Sequence, residues 1–342
     1  MTPIKPILLP ANQLHRFYRG GERIAALRSS GSEDPYAPEE WIASMASPFG
    51  EPDAGLSTLP DGRLLRDAVA GDPRGYLGEE HADRFGADVA VLIKLLDAGE
   101  RLPVHLHPDD EFARAHLDSI YGKTEAWIIL EASEGAAVQL GFKEEIDRET
   151  VAEWVSRQDA DALLASLRTL EVAAGDTLYV PAGTPHAIGD GILLAELQQP
   201  TDFSILLEWE RFAADDPEAA HLRLGFDTAL EALDLSPWSD ETVAWSTSRR
   251  VDDERSGVER LFPREADAFF RAERILTGPT SLDPCFSVLL VVEDGAALSG
   301  DGWKLDASRG DAVLVPYAAG AVGLDGDAEI LRCMAPDPQA AG

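Results

Sequence analysis

The chain has 342 residues and 45% hydrophobic content, enough for a full core and more than one average domain. Its 62 acidic residues against 29 basic ones give a formal charge of -33 and a pI of about 4.4, which argues against nucleic acid as a partner and repels anions at long range. No apolar run reaches the length of a membrane span, Met1-Thr-Pro-Ile-Lys-Pro lacks the apolar stretch of a signal peptide, and Cys285 and Cys333 are too few for a disulfide framework, so a cytoplasmic protein with free thiols is expected.

The first strong element is the apolar run from Val89 to Leu96, a strand broken only by Lys94, which is expected either to snorkel out of the sheet or to reach a substrate. Pro103-Val-His105-Leu-His107 follows. Side chains at i and i+2 leave the same face of a strand, so two imidazoles converge. Asp109-Asp-Glu111-Phe-Ala-Arg-Ala-His116 has acidic residues where a helix begins, which complement the dipole and leave Glu111 a weaker metal ligand than Glu125. Gly122-Lys123-Thr-Glu125-Ala-Trp127-Ile-Ile129 reads as a strand that turns Glu125, and Lys123 if the strand begins that early, to one face. A helical insertion is expected at about 144–168. Gly175-Asp-Thr-Leu-Tyr-Val-Pro181-Ala-Gly-Thr-Pro-His186 is a strand stopped by Pro and turned by Gly before a third imidazole.

Beyond it, the apolar spacing of residues 216–233 predicts an amphipathic helix, and the Ser- and Asp-rich stretch from Asp234 to Gly257 a loop or linker. The motif at Gly175 then recurs as Gly310-Asp-Ala-Val-Leu-Val-Pro316, with Ala321 in place of His186. Since this copy contains no histidine, Ser287 to Met334 is expected to repeat the strand and turn chemistry without a metal.

His-x-His, followed by Gly, five residues and Pro-x-Gly-x-x-His, is the cupin pattern. A narrower resemblance lies in Leu92-Ile-Lys94-Leu-Leu-Asp97, His107-Pro-Asp-Asp-Glu111, Gly122-Lys123-Thr-Glu125-Ala-Trp127, Gly141-Phe-Lys143, Pro181 to Gly189 and Glu196-Leu-Gln198-Gln199-Pro-Thr-Asp202, with Pro38-Glu-Glu-Trp41 and Glu329-Ile-Leu-Arg332 towards the two ends. In these motifs the chain resembles the type I mannose-6-phosphate isomerases, the zinc-dependent phosphomannose isomerase family. The resemblance implies a mainly β fold with helical insertions: two cupin jelly-roll barrels plus a helical segment. The expected division is a catalytic domain at 1–208, a helical segment and linker at 209–257, and a metal-free barrel at 258–342.

For chemistry, the resemblance implies zinc held by His107, Glu125 and His186, with His105 as fourth ligand where the family usually carries Gln. A His/His/Glu/His set also suits Fe, Mn or Ni. Lys123 and Glu196 match family active-site positions, with Lys94 and Gln198 as further substrate-binding candidates. The implied reaction moves a proton between C1 and C2 of a sugar phosphate through an enediol, converting mannose 6-phosphate into fructose 6-phosphate. Leu206 stands where the family carries an active-site arginine, and leucine donates no hydrogen bond, so either Arg211 reaches back, or the mechanism differs, or isomerase activity is reduced or absent. Two alternatives stay open: another metal-cupin enzyme such as a dioxygenase or epimerase, and a sugar-binding or regulatory cupin without turnover.

Overall fold

The computed structural model describes residues 4–29, 31–213, 216–247, 257–276 and 280–340. Two antiparallel sheets face each other in the first barrel. One has six strands in the order Gln13–Leu14, Glu39–Ile42, Leu92–Ala98, Ile192–Gln198, Glu125–Ala132 and Thr177–Val180. The other has five, in the order Ile205–Leu206, His105–Leu106, His186–Ile188, Ala137–Phe142 and Leu167–Glu171. This crossing order, with sequence-distant strands side by side, is the jelly-roll plan of a cupin.

The alternation of side chains explains why the central strands read as unbroken apolar runs. In Leu92–Ala98, Leu96 and Ala98 point into the first barrel, where they meet Trp127, Ile129 and Leu194. Ile93 and Leu95 point the other way, into a core shared with Val288, Leu290 and Leu314 of the second barrel. Both faces are covered, so polar alternation is absent and each buried aliphatic side chain contributes about 1.5–3 kcal/mol of burial. Lys94 and Glu196 break the pattern on the inward face, and they lie opposite each other in the ladder. Glu196 also faces Trp127, and Gln198 faces Glu125.

The second barrel pairs Ile7–Leu8, Ala312–Val315, Ser287–Glu293, Glu329–Met334, Arg271–Leu276 and Val258–Arg260 in one sheet, and Thr280–Leu282, Val322–Gly326, Gly295–Gly300 and Trp303–Ser308 in the other. The repeated motif folds the same way in both barrels. Gly175 and Gly310 both have φ 87°, in the left-handed region where glycine is at ease. Asp176 and Asp311 each accept the backbone N–H three residues back at 2.8 Å, from Ala173 and Ser308 respectively.

Three expectations are corrected. Residues 216–233 do not form one helix: left-handed backbone at Leu222, Arg223 and Gly225 divides them into a short 3₁₀ turn at Ala219–His221, a helix at Phe226–Ala229 and a second 3₁₀ turn at Leu230–Ala232. The stretch read as linker contains a helix at Asp240–Ser246, begun by Ser239 capping Thr242 N–H, while its residues 248–256 lie outside the described residues. Lys94 does not snorkel outward; its residue exposure is 2%. The insertion holds two helices, Arg148–Arg157 and Ala160–Ser166, each started by an aspartate cap. Among the described residues, no helix is long and apolar enough to cross a membrane.

Candidate metal centre

Three imidazoles gather at one end of the first barrel. His105 and His186 are cross-strand neighbours, and His107 follows as the chain leaves the short strand His105–Leu106. Their ligand nitrogens all lie within 4.8 Å of one another, and all three residues are buried. Backbone carbonyls fix each ring. His105 Nδ1 donates to Pro103 O at 2.9 Å, His107 Nδ1 to Phe203 O at 2.8 Å and His186 Nδ1 to Thr184 O at 2.9 Å. A carbonyl only accepts, so the proton sits on Nδ1 and each Nε2 keeps its lone pair as an acceptor, as the outer shell of a metal-binding histidine requires.

Glu125 stands beside two of them. Its Oε2 lies 3.0 Å from His107 Nε2 and its Oε1 3.3 Å from His186 Nε2, while Trp127 Nε1 donates to Oε1 at 3.0 Å. The rival Glu111 is exposed on the helix Asp110–His116, which Asp109 caps. Electrostatics match metal binding. Burial first, then the Lys123 ammonium, lowers the His107 pKa to about 3, and burial with the neighbouring imidazoles holds His105 well below its ordinary value. Burial works against the Glu125 carboxylate, but Lys123 and His107 outweigh it and keep the group ionised. Neutral imidazoles and an ionised carboxylate are the forms a divalent cation requires. His186 Nε2 is buried without a hydrogen-bond partner, and an unsatisfied lone pair at such a convergence fits an ion of the zinc class.

A cavity of about 720 Å³ opens onto this cluster, with His105, Lys123, Glu125 and Glu196 on its wall. Lys123 precedes the strand that begins at Glu125, yet its Nζ reaches Glu125 Oε2 at 3.0 Å and donates to His107 Nε2 at 2.9 Å. Glu196 Oε1 lies 3.4 Å from Lys94 Nζ and 4.0 Å from Lys123 Nζ without a hydrogen bond, and burial raises its pKa despite Lys94. Lys94 Nζ also lies 3.6 Å from Glu39 and 3.9 Å from Asp202. Those carboxylates outweigh the burial of Lys94 and raise its pKa.

The other two substrate-binding candidates differ in placement. Gln198 turns its amide to the Gln199 and Thr201 carbonyls and is not among the residues lining the cavity. Arg211 lines the cavity, but its side chain is 58% exposed and its Nη2 is 2.9 Å from Glu100. The cavity instead contains Arg16, Tyr18, Glu39 and Asp202, none of them singled out from the sequence. Glu39 and Asp202 belong to motifs already quoted, and the neighbouring pattern could have placed them; nothing local marks Arg16.

No family model matches the chain. Among curated proteins, the mannose-6-phosphate isomerase ManA of Bacillus subtilis is 31% identical over 265 residues, 75% of this chain and 78% of that protein. The mannose-6-phosphate isomerase of Streptococcus mutans is 28% identical over 337 residues, 96% of this chain and 97% of that protein. The crystal structure of the B. subtilis mannose 6-phosphate isomerase superposes with a TM-score of 0.78 at 21% identity, covering 96% of this chain and 99% of that one. A mannose 6-phosphate isomerase bound with zinc and yttrium superposes with a TM-score of 0.73 at 15% identity, covering 98% of this chain and 100% of that one.

Proposed function

The chain belongs to the mannose-6-phosphate isomerase family, and we propose that it interconverts mannose 6-phosphate and fructose 6-phosphate with a zinc ion held by His105, His107, Glu125 and His186. The observation that carries this reading is the convergence of three imidazoles and Glu125 beside a cavity whose wall also carries Lys123 and Glu196. When bound, zinc supplies Lewis-acid polarisation of the sugar carbonyl. Lys123 and Glu196 move the proton between C1 and C2. Glu196 Oε1 has no hydrogen bond to break before it takes a proton, and its raised pKa brings it closer to the working pH of a general base.

Lys94, held by three carboxylates, orients Glu196 rather than acting itself. Leu96, Leu102, Ile188 and Leu206 give the cavity apolar walls that keep water from the reacting carbons. In this reading residues 1–208, with the helical insertion at about 144–168, form the catalytic unit, 209–257 join it to the rest, and 258–342 form a barrel without metal. The free thiols Cys285 and Cys333 suit the cytoplasm.

A coupled assay of mannose 6-phosphate conversion, with chelator and with zinc restored, tests the proposal. Turnover is expected to vanish with chelator and to return with zinc. His107→Ala and His186→Ala are expected to lose the metal, whereas Lys123→Ala keeps one zinc per chain and loses about 100-fold or more in kcat. Absence of turnover in the zinc-loaded wild type would end the isomerase reading in favour of sugar binding without catalysis.

A further inference from the structure

The cavity has a guanidinium that neither the motifs nor the proposed ligand set accounts for. Arg16 follows the short strand Gln13–Leu14, and with its neighbours His15, Phe17 and Tyr18 it forms one side of the cavity wall. Two carboxylates hold it. Nη2 donates to both Asp202 oxygens, at 2.9 and 3.2 Å, and Nε lies 3.2 Å from Glu39 Oε1. Glu39 is itself fixed by Tyr18 Oη at 2.6 Å and Trp41 Nε1 at 2.7 Å. Yet the donors of Arg16 are not used up: among the described residues its side-chain hydrogen bonds all run from Nη2, which leaves Nη1 without a hydrogen-bond partner. Its side chain is 15% exposed.

No other cation in the cavity is in this position. Lys94 is surrounded by Glu39, Glu196 and Asp202, Lys123 is against His107 and Glu125, and Arg211 stands in solvent beside Glu100. Position 206, the cross-strand neighbour of His105, carries only a leucine. The lining holds four cations, Arg16, Lys94, Lys123 and Arg211, against six carboxylates, Glu39, Glu51, Glu125, Glu196, Asp202 and Asp216. A bound divalent ion would offset the two excess negative charges, which lets an anionic oxygen approach in spite of the acidic surface.

We infer that Arg16 is the residue that engages an anionic oxygen of the substrate. The inference rests on the isomerase reading for the identity of the substrate. Asp202 and Glu39 clamp one edge of the planar group, and the other edge is presented, already oriented, to the cavity. The anionic oxygen has two sources in such a reaction: the phosphoryl group of the bound sugar, or the oxyanion that develops as the proton leaves carbon.

Zinc-loaded wild type, Arg16→Lys and Arg16→Met separate these possibilities. Lysine keeps the charge between Glu39 and Asp202 but loses the planar fork, so it stays informative if the methionine variant fails to fold. We expect both variants to keep one zinc per chain and the lysine variant to keep its melting temperature, while kcat/KM for mannose 6-phosphate falls about 100-fold or more. A fall of tenfold or more in calorimetric affinity for fructose 6-phosphate assigns the contact to the phosphoryl group. Unchanged affinity with a lower kcat assigns it to the developing oxyanion. Affinity and kcat both within threefold of wild type in Arg16→Lys overturn the inference, as does a loss that added zinc restores. If the zinc-loaded wild type binds fructose 6-phosphate but does not isomerise, the functional reading fails while the affinity comparison still decides Arg16. If it does neither, both fail.

Discussion

His105 pairs across the sheet with His186, and its Nε2 joins the other two imidazoles, although the family it resembles usually carries an amide there. An amide oxygen is a weaker ligand than imidazole but fits the same coordination position. His105→Gln is therefore expected to retain stoichiometric zinc at micromolar metal and to hold kcat within about tenfold, with metal content and turnover as the measurements. Loss of the metal would show that the third imidazole is indispensable in this chain. At this scale the sequence is uneven. His107, Glu125 and His186 are legible because each sits in a short motif whose spacing is set by one strand or one turn. Arg16 is not, because it meets Asp202 across 186 positions of chain and its neighbours Leu14, His15 and Phe17 give no pattern. Arg211, close in sequence to position 206, lines the cavity with its guanidinium turned to Glu100.

Elements are legible where a local rule decides them. Asp109, Asp147 and Asp159 start helices as caps, and the two Gly-Asp turns repeat bond for bond in both barrels. The failure at 216–233 has a physical reason: apolar spacing records which side chains are buried, and a chain of short turns buries them as well as a helix does. The helix Glu79–Phe85 carries a pH effect of its own. His81 is buried there, its Nε2 bonded to Asp88 O at 2.8 Å and its ring against Phe85. Burial lowers its pKa, against an opposing effect of Asp88, and Arg271 and Arg84 add smaller contributions to the lowering. The folded state thus resists a proton that the unfolded chain accepts near pH 6.5, so stability present above that pH is lost as pH falls towards the folded value. In urea titrations at pH 7 and pH 5, His81→Gln should lose less stability on acidification than wild type. Equal losses in the two proteins would place the acid sensitivity elsewhere.

For the whole molecule, the two-barrel plan is legible from the repeat, but its mechanical unity is not. Ile93, Leu95, Leu193 and Leu197 of the first barrel share one core with Phe270, Val288, Leu290 and Leu314 of the second. Removing the second barrel would expose this face at about 25 cal/mol for each Å² of apolar surface. We expect urea unfolding to show a single transition by both circular dichroism and tryptophan fluorescence, and a chain ending at 257 to lack a cooperative transition altogether. Two resolved transitions, or a stably folded 1–257, would show that the barrels are independent. Sequence does not reveal the shared core because its members alternate with inward residues along the same strands, and an all-apolar run does not say which face meets which partner.

The short strand Ile7–Leu8 adds an edge to the second barrel's sheet by pairing with Ala312–Val315. During synthesis this strand emerges about 300 residues before its partner. The first barrel's outward face, with Ile93, Leu95 and Leu193, must likewise wait for its cover. Nascent chains therefore carry an unmatched apolar surface until the second barrel is made, a period in which chaperone capture competes with misassembly.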